Sequence, residues 1–383
     1  MAETARVPAN RIVVNTLVLL SPLTGIGNYV SQLVRHFALL DAPNDYTYFY
    51  GFFTKRIIVV DHHIHRLKAE LTKAPWLTKA LRETQFLLSR LRRSEFDLYF
   101  EPNFIPLPIK AKRVVTTVHD FSFKLFPEAY PKERIEHFNK NFARNIKRSN
   151  RIITVSAFTK TEATEFLQLP PEMIIPVPLG VDHDVFRPRK RESLEQCKRE
   201  LGLPEKFILS VGTKEPRKNL DRLLRAYLEL PEWMKGEFKI VLVGPQGWGE
   251  GYSTGVFQKI RDRLMVLDYV GVDTLACIYS LASLFVFPSL YEGFGLPPLE
   301  AMACGCPVVV SNAASLPEIC GEAAFYVDPK DVPSMTGAMA KVLNDSELRE
   351  RLISKGLEQA KLFSWEKTAK ETLGIFSEVL DTA

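Results

Sequence analysis

Residues 285–310, FVFPSLYEGFGLPPLEAMACGCPVVV, leave a folding chain few choices. FVF and PVVV are short apolar runs, the pattern of strands buried on both faces. Between them stand a glycine-rich loop and a helix signal. Proline is tolerated in a first helical turn, where its missing N–H has no intrahelical role, so Pro297 and Pro298 mark the helix start. Gly305 stands where a helix end needs a left-handed residue. Strand, helix and strand make a βαβ unit, and hence a parallel sheet with helices on its faces. The loop leaves the N–H groups of Gly293, Phe294, Gly295 and Leu296 free to face an anion. Glu300 is expected in the first helical turn. There its carboxylate could accept hydrogen bonds from a vicinal diol, such as a ribose, or serve the helix as a cap. Glu292 suits a sugar hydroxyl or a hydrogen bond within the turn.

The same rhythm runs through the first half. Runs at 11–20, 46–50, 56–60, 97–100, 113–118, 151–156 and 173–177 read as strands. The first reads as a buried strand and not a signal peptide, since no small-residue cleavage site follows it. TGIGNY then leads into a helix with Val30, Leu33, Val34, Phe37 and Leu40 at helical spacing. Gly25 and Gly27 let backbone N–H groups approach an anion, or simply make a tight turn. His119-Asp120 closes the strand at 113–118. In open α/β sheets, ligands lie beyond the carboxyl ends of the strands. His119 is therefore a candidate to contact a substrate hydroxyl or orient a base; the competing reading is a packed His beside a helix-capping Asp120. Ser156 is expected to cap the helix after it. DHHIH at 61–65 invites a metal reading. A strand would split its histidines between two faces, and no further ligand stands at a metal-site spacing, so no metal is expected. The basic stretch at 67–93 is a candidate membrane-surface or partner face, or equally an ordinary solvated helix.

A polar, proline-bearing junction at about 181–195 and a helix at 193–201 lead into the second half. Strands follow at 207–211, 239–243, 266–270 and 284–287. GTKEPRKN joins the first of these to a helix. Arg217 and Lys218, just before a helix N-terminus, are candidate diphosphate ligands or else ordinary surface cations.

Composition narrows the classes. A chain of 383 residues that is 46% hydrophobic supports about two domains, each with a full core. The five cysteines include no CxxC pair, which disfavours a disulfide framework or zinc site and fits a reducing cytosol. Cys304 and Cys306 read as small buried residues around a helix end. No run of apolar residues is long enough to span a membrane. Residues 1–180 carry 25 Lys and Arg against 16 Asp and Glu, while the whole chain has 50 against 45. The basic first half suits an anionic acceptor or membrane surface, or an ordinary solvated face.

With these motifs in view, the chain resembles the retaining glycosyltransferases of family 4. Their signature is a pair of glutamates separated by seven residues, here Glu292 and Glu300 in EGFGLPPLE. The flank SLPEICGEAAFYVDP agrees. VGTKEPRKNL resembles their phosphate-binding loop, VPLGVDHDVFRP their interdomain junction, TGIGNY their first glycine loop and TVHD their central histidine. The resemblance runs from about residue 12 to about residue 330. It implies an α/β GT-B fold: two Rossmann-like domains facing across a cleft, with a C-terminal helix crossing back to the first. The domains would be 1–182 for the acceptor and 195–362 for the nucleotide sugar, with the returning helix in 363–383, anchored by Trp365.

The resemblance also implies roles. Lys218 and Arg217 would bind the donor diphosphate and Glu300 the ribose. The N–H groups of Phe294, Gly295 and Leu296 would hold phosphate. Glu292 would contact the donor sugar, His119 would line its site, Gly27 would approach phosphate or acceptor, and Val270 would read the base. His119, Glu292 and Lys218 are the candidate catalytic residues. The family often carries an Arg directly after the loop glycine, where this chain has Thr213; Arg217 or Lys214 would then supply the charge. No cofactor or metal is implied beyond the nucleotide-sugar substrate. GDP-mannose is the favoured donor, and a glycan or lipid-diphosphate-linked glycan the acceptor. The protein would be cytoplasmic, with peripheral contact at the inner membrane. Two other readings share the fold: a nucleotide-sugar epimerase or hydrolase, and a non-catalytic sugar-nucleotide-binding protein. No nucleic-acid partner is expected, since no nucleic-acid module is visible.

Overall fold

The computed structural model describes residues 10–21, 25–41, 43–58, 96–245, 247 and 254–382. The histidines at 61–65 and the basic stretch at 67–93 lie outside them. Two parallel sheets dominate. The first contains β1 (Arg11–Asn15), β2 (Asp45–Phe49), β3 (Phe53–Thr54), β4 (Phe96–Glu101), β5 (Ala111–Val118), β6 (Arg151–Thr154) and β7 (Ile174–Pro176). Their order is β3-β2-β1-β4-β5-β6-β7, parallel except for β3. The second contains β8 (Phe207–Val211), β9 (Lys239–Val243), β10 (Leu264–Leu267), β11 (Leu284–Phe287), β12 (Val308–Ser311) and β13 (Phe325–Val327). Their order is β10-β9-β8-β11-β12-β13. In each sheet the strand order reverses beside the first strand, between β1 and β4 and between β8 and β11. Such switch points open a crevice at the carboxyl ends of the strands, where ligands of this architecture bind.

Several elements differ from expectation. The apolar run at 11–20 splits into β1 and a 3-10 turn at Leu17–Leu20. The Asn15 side chain accepts from Leu17 N at 3.1 Å, a local bond that diverts the backbone from extension. The expected strand at 56–60 is not found at 56–58; the antiparallel partner of β2 is β3 instead. The run at 266–270 ends early, with β10 at Leu264–Leu267 and Val270 in the following loop.

The helix Trp365–Asp381 returns to the first sheet. Phe376 packs on Phe37 at 5.5 Å and on Phe100 at 5.1 Å between ring centres. Arg151 Nε donates to Glu378 at 3.1 Å and Arg113 Nε to the Val379 carbonyl at 3.3 Å. Trp365 is buried and its ring lies 6.2 Å from that of Tyr29. Where the chain crosses back it meets the first crossing: Val181 bridges Ser364, and Val181 N donates to the Phe363 carbonyl at 3.3 Å. Gly180 has no room for a side chain there, since an added Cβ would lie 2.6 Å from Trp365 Cα and overlap Trp365 N. Gly180→Ala is expected to cost about 1–3 kcal/mol of stability, as overpacking does. Urea denaturation checks this; an unchanged midpoint would mean the two crossings separate freely.

Candidate active site

The site grows from the carboxyl ends of β8 and β11. After β8 the chain turns through Gly212, with φ of +149°, and the loop after β9 turns through Gly244, with φ of +141°. These loops touch: a Cβ on Gly244 would lie 2.7 Å from Gly212 C. Only glycine meets both the positive φ and the close approach. Asn219, at φ +61°, opens the helix Leu220–Leu228. Its side-chain amide donates to the Pro288 carbonyl at 3.0 Å and the Pro329 carbonyl at 2.6 Å. Leu290 N donates to Arg217 O at 2.8 Å. The cationic loop and the glutamate loop are thereby held together.

Their side chains form one ionic cluster, with Glu215 and Glu292 buried and the two cations mostly covered. Lys218 Nζ lies 2.7 Å from Glu292 Oε1. Arg217 Nη1 donates to Glu292 Oε2 and to the Tyr291 carbonyl, each at 2.9 Å, and Arg217 Nη2 lies 2.7 Å from Glu215 Oε1. Burial alone would raise the Glu292 carboxyl, but the charges of Arg217 and Lys218 outweigh it and hold it at about 2. Burial lowers Lys218, with Glu292 opposing. Arg217 stays above its ordinary range: burial lowers it, but Glu292, Glu215 and Asp120 outweigh that. Two cations meet two carboxylates, so the cluster is charge-balanced. That balance offsets the several kcal/mol that each isolated buried ion costs.

The helix Leu296–Ala303 starts at Gly295, with φ of +120°, and carries Pro297 and Pro298 in its first turn. Glu300 sits one turn further in than expected, since no acidic residue occupies the first turn. That placement removes the capping reading. Glu300 is half-buried, and Tyr279 OH donates to its Oε2 at 3.2 Å. Burial lifts its carboxyl to about 7, against which the Tyr279 bond acts only in part. Gly305 follows the helix with φ of +77°, flanked by buried, unpaired Cys304 and Cys306.

The glutamate loop also forms the seam with the first domain. A Cβ on Gly293 would overlap the His119 carbonyl oxygen and lie 2.9 Å from Asp120 Cβ. The Gly293 carbonyl accepts from Ser156 Oγ at 2.7 Å and Thr159 Oγ1 at 3.0 Å. Ser156 also caps its helix Ala157–Leu167 as expected, accepting from Thr159 N. Glu318 reaches across to Ala157 N at 2.8 Å and Phe158 N at 2.9 Å, placing a carboxylate at that helix N-terminus. Tyr291 OH donates to Glu162 at 2.6 Å and accepts from Phe121 N at 2.8 Å. His119 is buried, edge-on to Tyr29 at 5.0 Å and Phe104 at 5.5 Å. Its Nε2 donates to the Pro102 carbonyl at 2.8 Å, leaving Nδ1 as the acceptor nitrogen. Burial holds its pKa below the ordinary histidine value.

The structure thus brings Arg217, Lys218, Glu292, Phe294, Gly295, Leu296 and Glu300 together at the second switch point. His119 lies across the seam from them. Gly27 lies two residues before Tyr29, in the first turns of the helix Gly25–Leu40. Val270 stands in the loop after β10, two strands out from β8. Thr213 packs on the loop at Gly247. Lys214 is buried and faces Asp268 at 3.4 Å, so Arg217 is the second cation beside Lys218. Sequence reasoning missed Glu215, Glu162, Tyr291 and Glu318. For Glu318 and Tyr291 the only available signal was their place in the motif's flanks.

Two parallel α/β sheets, with a cationic glycine loop and a glutamate helix at the switch point of the second, define a glycosyltransferase of the GT-B fold. Residues 195–359 match the family model described as glycosyl transferases group 1, and residues 23–185 that of glycosyltransferase family 4. The chain is 35% identical over 367 residues to O-antigen chain mannosyltransferase B of Escherichia coli, spanning 93% of this chain and 96% of that one. It is 32% identical over 282 residues to serotype-specific mannosyltransferase WbdA of Escherichia coli, covering 71% of this chain but only 34% of that longer protein. Sucrose-phosphate synthase from Thermosynechococcus elongatus shares the fold, with a TM-score of 0.70 at 20% identity over 98% of this chain and 100% of that one. The chain belongs to the group 1, family 4 glycosyltransferases. No helix among the described residues is long and apolar enough to cross a membrane.

Proposed function

We propose that the protein transfers a hexose, with mannose from GDP-mannose favoured, to a glycan or lipid-diphosphate-linked glycan, with retention at the anomeric carbon. The Lys218–Glu292–Arg217 cluster beside the helix start at Gly295 carries this reading. The names of the Escherichia coli relatives support mannose. Lys218, Arg217 and the N–H groups of Phe294, Gly295 and Leu296 offset charge on the departing diphosphate. Glu300 accepts from the ribose hydroxyls, Glu292 and His119 line the sugar, Gly27 approaches phosphate or acceptor, and Val270 the base. The bond from the anomeric carbon to the diphosphate oxygen breaks as the acceptor oxygen bonds on the same face. The acceptor's proton passes to the departing phosphate oxygen, so no metal and no enzymic nucleophile is called for. Closure at Gly293 excludes water that would hydrolyse the donor.

The test is a panel of GDP-, UDP- and ADP-sugars, with and without lipid-linked and free glycan acceptors. The expected result is acceptor-dependent release of GDP from GDP-mannose. Release of free or rearranged sugar without acceptor would overturn transfer in favour of a hydrolase or epimerase.

Glu300 makes the site sensitive to pH. Its folded carboxyl lies at about 7, above the ordinary 4.5. The native state therefore holds this proton more tightly than the unfolded chain, and the group's contribution to stability declines as pH rises from 4.5 through 7. The ribose needs the ionised form, so donor affinity should improve about tenfold from roughly pH 6 to pH 8, as one group of this pKa dictates. Glu101 and Glu162 titrate in the same window, so the difference between wild type and Glu300→Gln isolates the effect. Calorimetry at several pH values checks it; equal slopes in both proteins would remove Glu300 from the ribose. Glu300→Ala is expected to abolish most transfer with the fold intact.

A further inference from the structure

The first sheet has a switch point of its own, and a cavity of about 490 Å³ stands there. Its floor is Asn15 at the end of β1, Glu101 at the end of β4, and Asn103. Glu101 is occupied: both its oxygens meet Asn15 Nδ2, at 3.1 and 2.8 Å, and Tyr99 OH and Asn103 N also donate to it. The Asn103 side chain is exposed. One wall is apolar, with Leu17, Val18 and Leu107. The facing wall is the helix Lys132–Ile146, where Arg134, His137, Asn141 and Arg144 recur every three or four residues and so share one face.

Among the described residues, Arg134 and Arg144 are not consumed by the fold. Arg148 is spent holding the apolar wall, donating to the Leu107 carbonyl at 3.0 Å and the Ile109 carbonyl at 3.3 Å. Arg144 makes only 3.4 Å contacts to Asn141 and Asn145 of its own helix. The Arg134 guanidinium stacks 5.1 Å from the Tyr130 ring. Both are exposed, and among the described residues neither pairs with a carboxylate. The cavity is also one residue from the transfer site, because Pro102, between Glu101 and Asn103, accepts the His119 Nε2 bond. Phe104 packs on both His119 and Phe138, each at 5.5 Å.

We propose that this cavity binds the anionic end of the acceptor, a diphosphate ester bearing an apolar chain. Arg134 and Arg144 grip the phosphates, the Leu17–Leu107 wall receives the start of the chain, and Asn103 faces the attached sugar on its way to His119. Calling the ligand an acceptor rests on the proposed transfer activity; the binding itself does not. The two switch points then divide the labour, the second for the donor diphosphate and the first for the acceptor diphosphate.

Farnesyl diphosphate and inorganic pyrophosphate serve as probes, with affinities measured by calorimetry on the full chain. Farnesyl diphosphate should bind more tightly than pyrophosphate. Arg134→Gln with Arg144→Gln should weaken it about tenfold or more, the scale of losing charge-assisted hydrogen bonds. Lys218→Ala should leave its affinity within about twofold, as expected for a separate site. Unchanged affinity in the arginine double variant overturns the proposal. So does dependence on Lys218 alone, which would put the probe in the donor site, or equal binding of both probes, which would leave the apolar wall without a role. If no acceptor ever supports transfer yet farnesyl diphosphate still binds through the arginines, the transfer reading falls and the subsite stands.

Discussion

Lys218→Ala should lower kcat/KM for sugar transfer by about 10²- to 10³-fold, the scale of removing one preorganised charge from a transition state. Lys218 is largely enclosed, its side chain 12% exposed; it reaches Glu292 at 2.7 Å and lies 5.0 Å over the Phe287 ring. Little water can replace it. The fold should survive, because Glu292 keeps Arg217 at 2.9 Å and so avoids the about 3–5 kcal/mol of an orphaned buried charge. Losing one of its two cations should still raise the Glu292 carboxyl from about 2. That narrows the acid-side stability, which this group contributes above the unfolded carboxyl range and loses as pH falls towards its folded value. A second substitution, Glu292→Gln, should remove this group's acid-dependent loss of stability without restoring transfer. The measurements are steady-state kinetics, donor affinity and acid titration of the fold. Near-normal turnover in a well-folded Lys218→Ala protein would sink the donor-site assignment.

Gly293→Ala should be nearly as damaging for a steric reason. The added methyl would occupy the His119 carbonyl oxygen's place. Neither partner can yield easily, since the Gly293 carbonyl is fixed by Ser156 and Thr159 and the His119 ring by Pro102. The domains must separate at this point, which displaces Glu292 and the Gly295 helix start from His119. Misplacement on the order of 1 Å costs about 10²-fold in rate when geometry supplies the catalysis. Each domain's own core is untouched, so the melting temperature should move little compared with Gly180→Ala. Small-angle scattering should show a more open particle. Wild-type turnover in the variant would show that chemistry does not need this closed seam.

Much of the fold was legible for a plain reason. Strands buried in parallel sheets read as unbroken apolar runs, and β8, β9 and β11 fall where those runs lie. The same rule failed at 17–20, where LVLL looks like more strand but a single Asn15 side-chain bond turns it. Glu300 was misplaced by one turn because prolines mark where a helix starts without fixing its first residue. The donor-site cations were visible as residue types next to a helix signal. The contacts across the seam were not: Ala157 meets Glu318 and Tyr291 meets Glu162 across 161 and 129 residues of sequence. No local period encodes such pairs; only the meeting of two finished sheets creates them.

The paired chain crossings set what relative motion the protein can make. Val181 and Ser364 lie side by side, and His183 Nε2 bonds the Phe363 carbonyl at 3.0 Å. Both covalent links between the domains therefore pass through one place. Bodies joined at one place pivot there and cannot slide apart at that point. Opening then breaks contacts far from the pivot, the Glu318–Ala157 contact among them. A label pair spanning that contact should report each opening as a long lever does, while a pair at residues 181 and 364 stays still throughout the cycle.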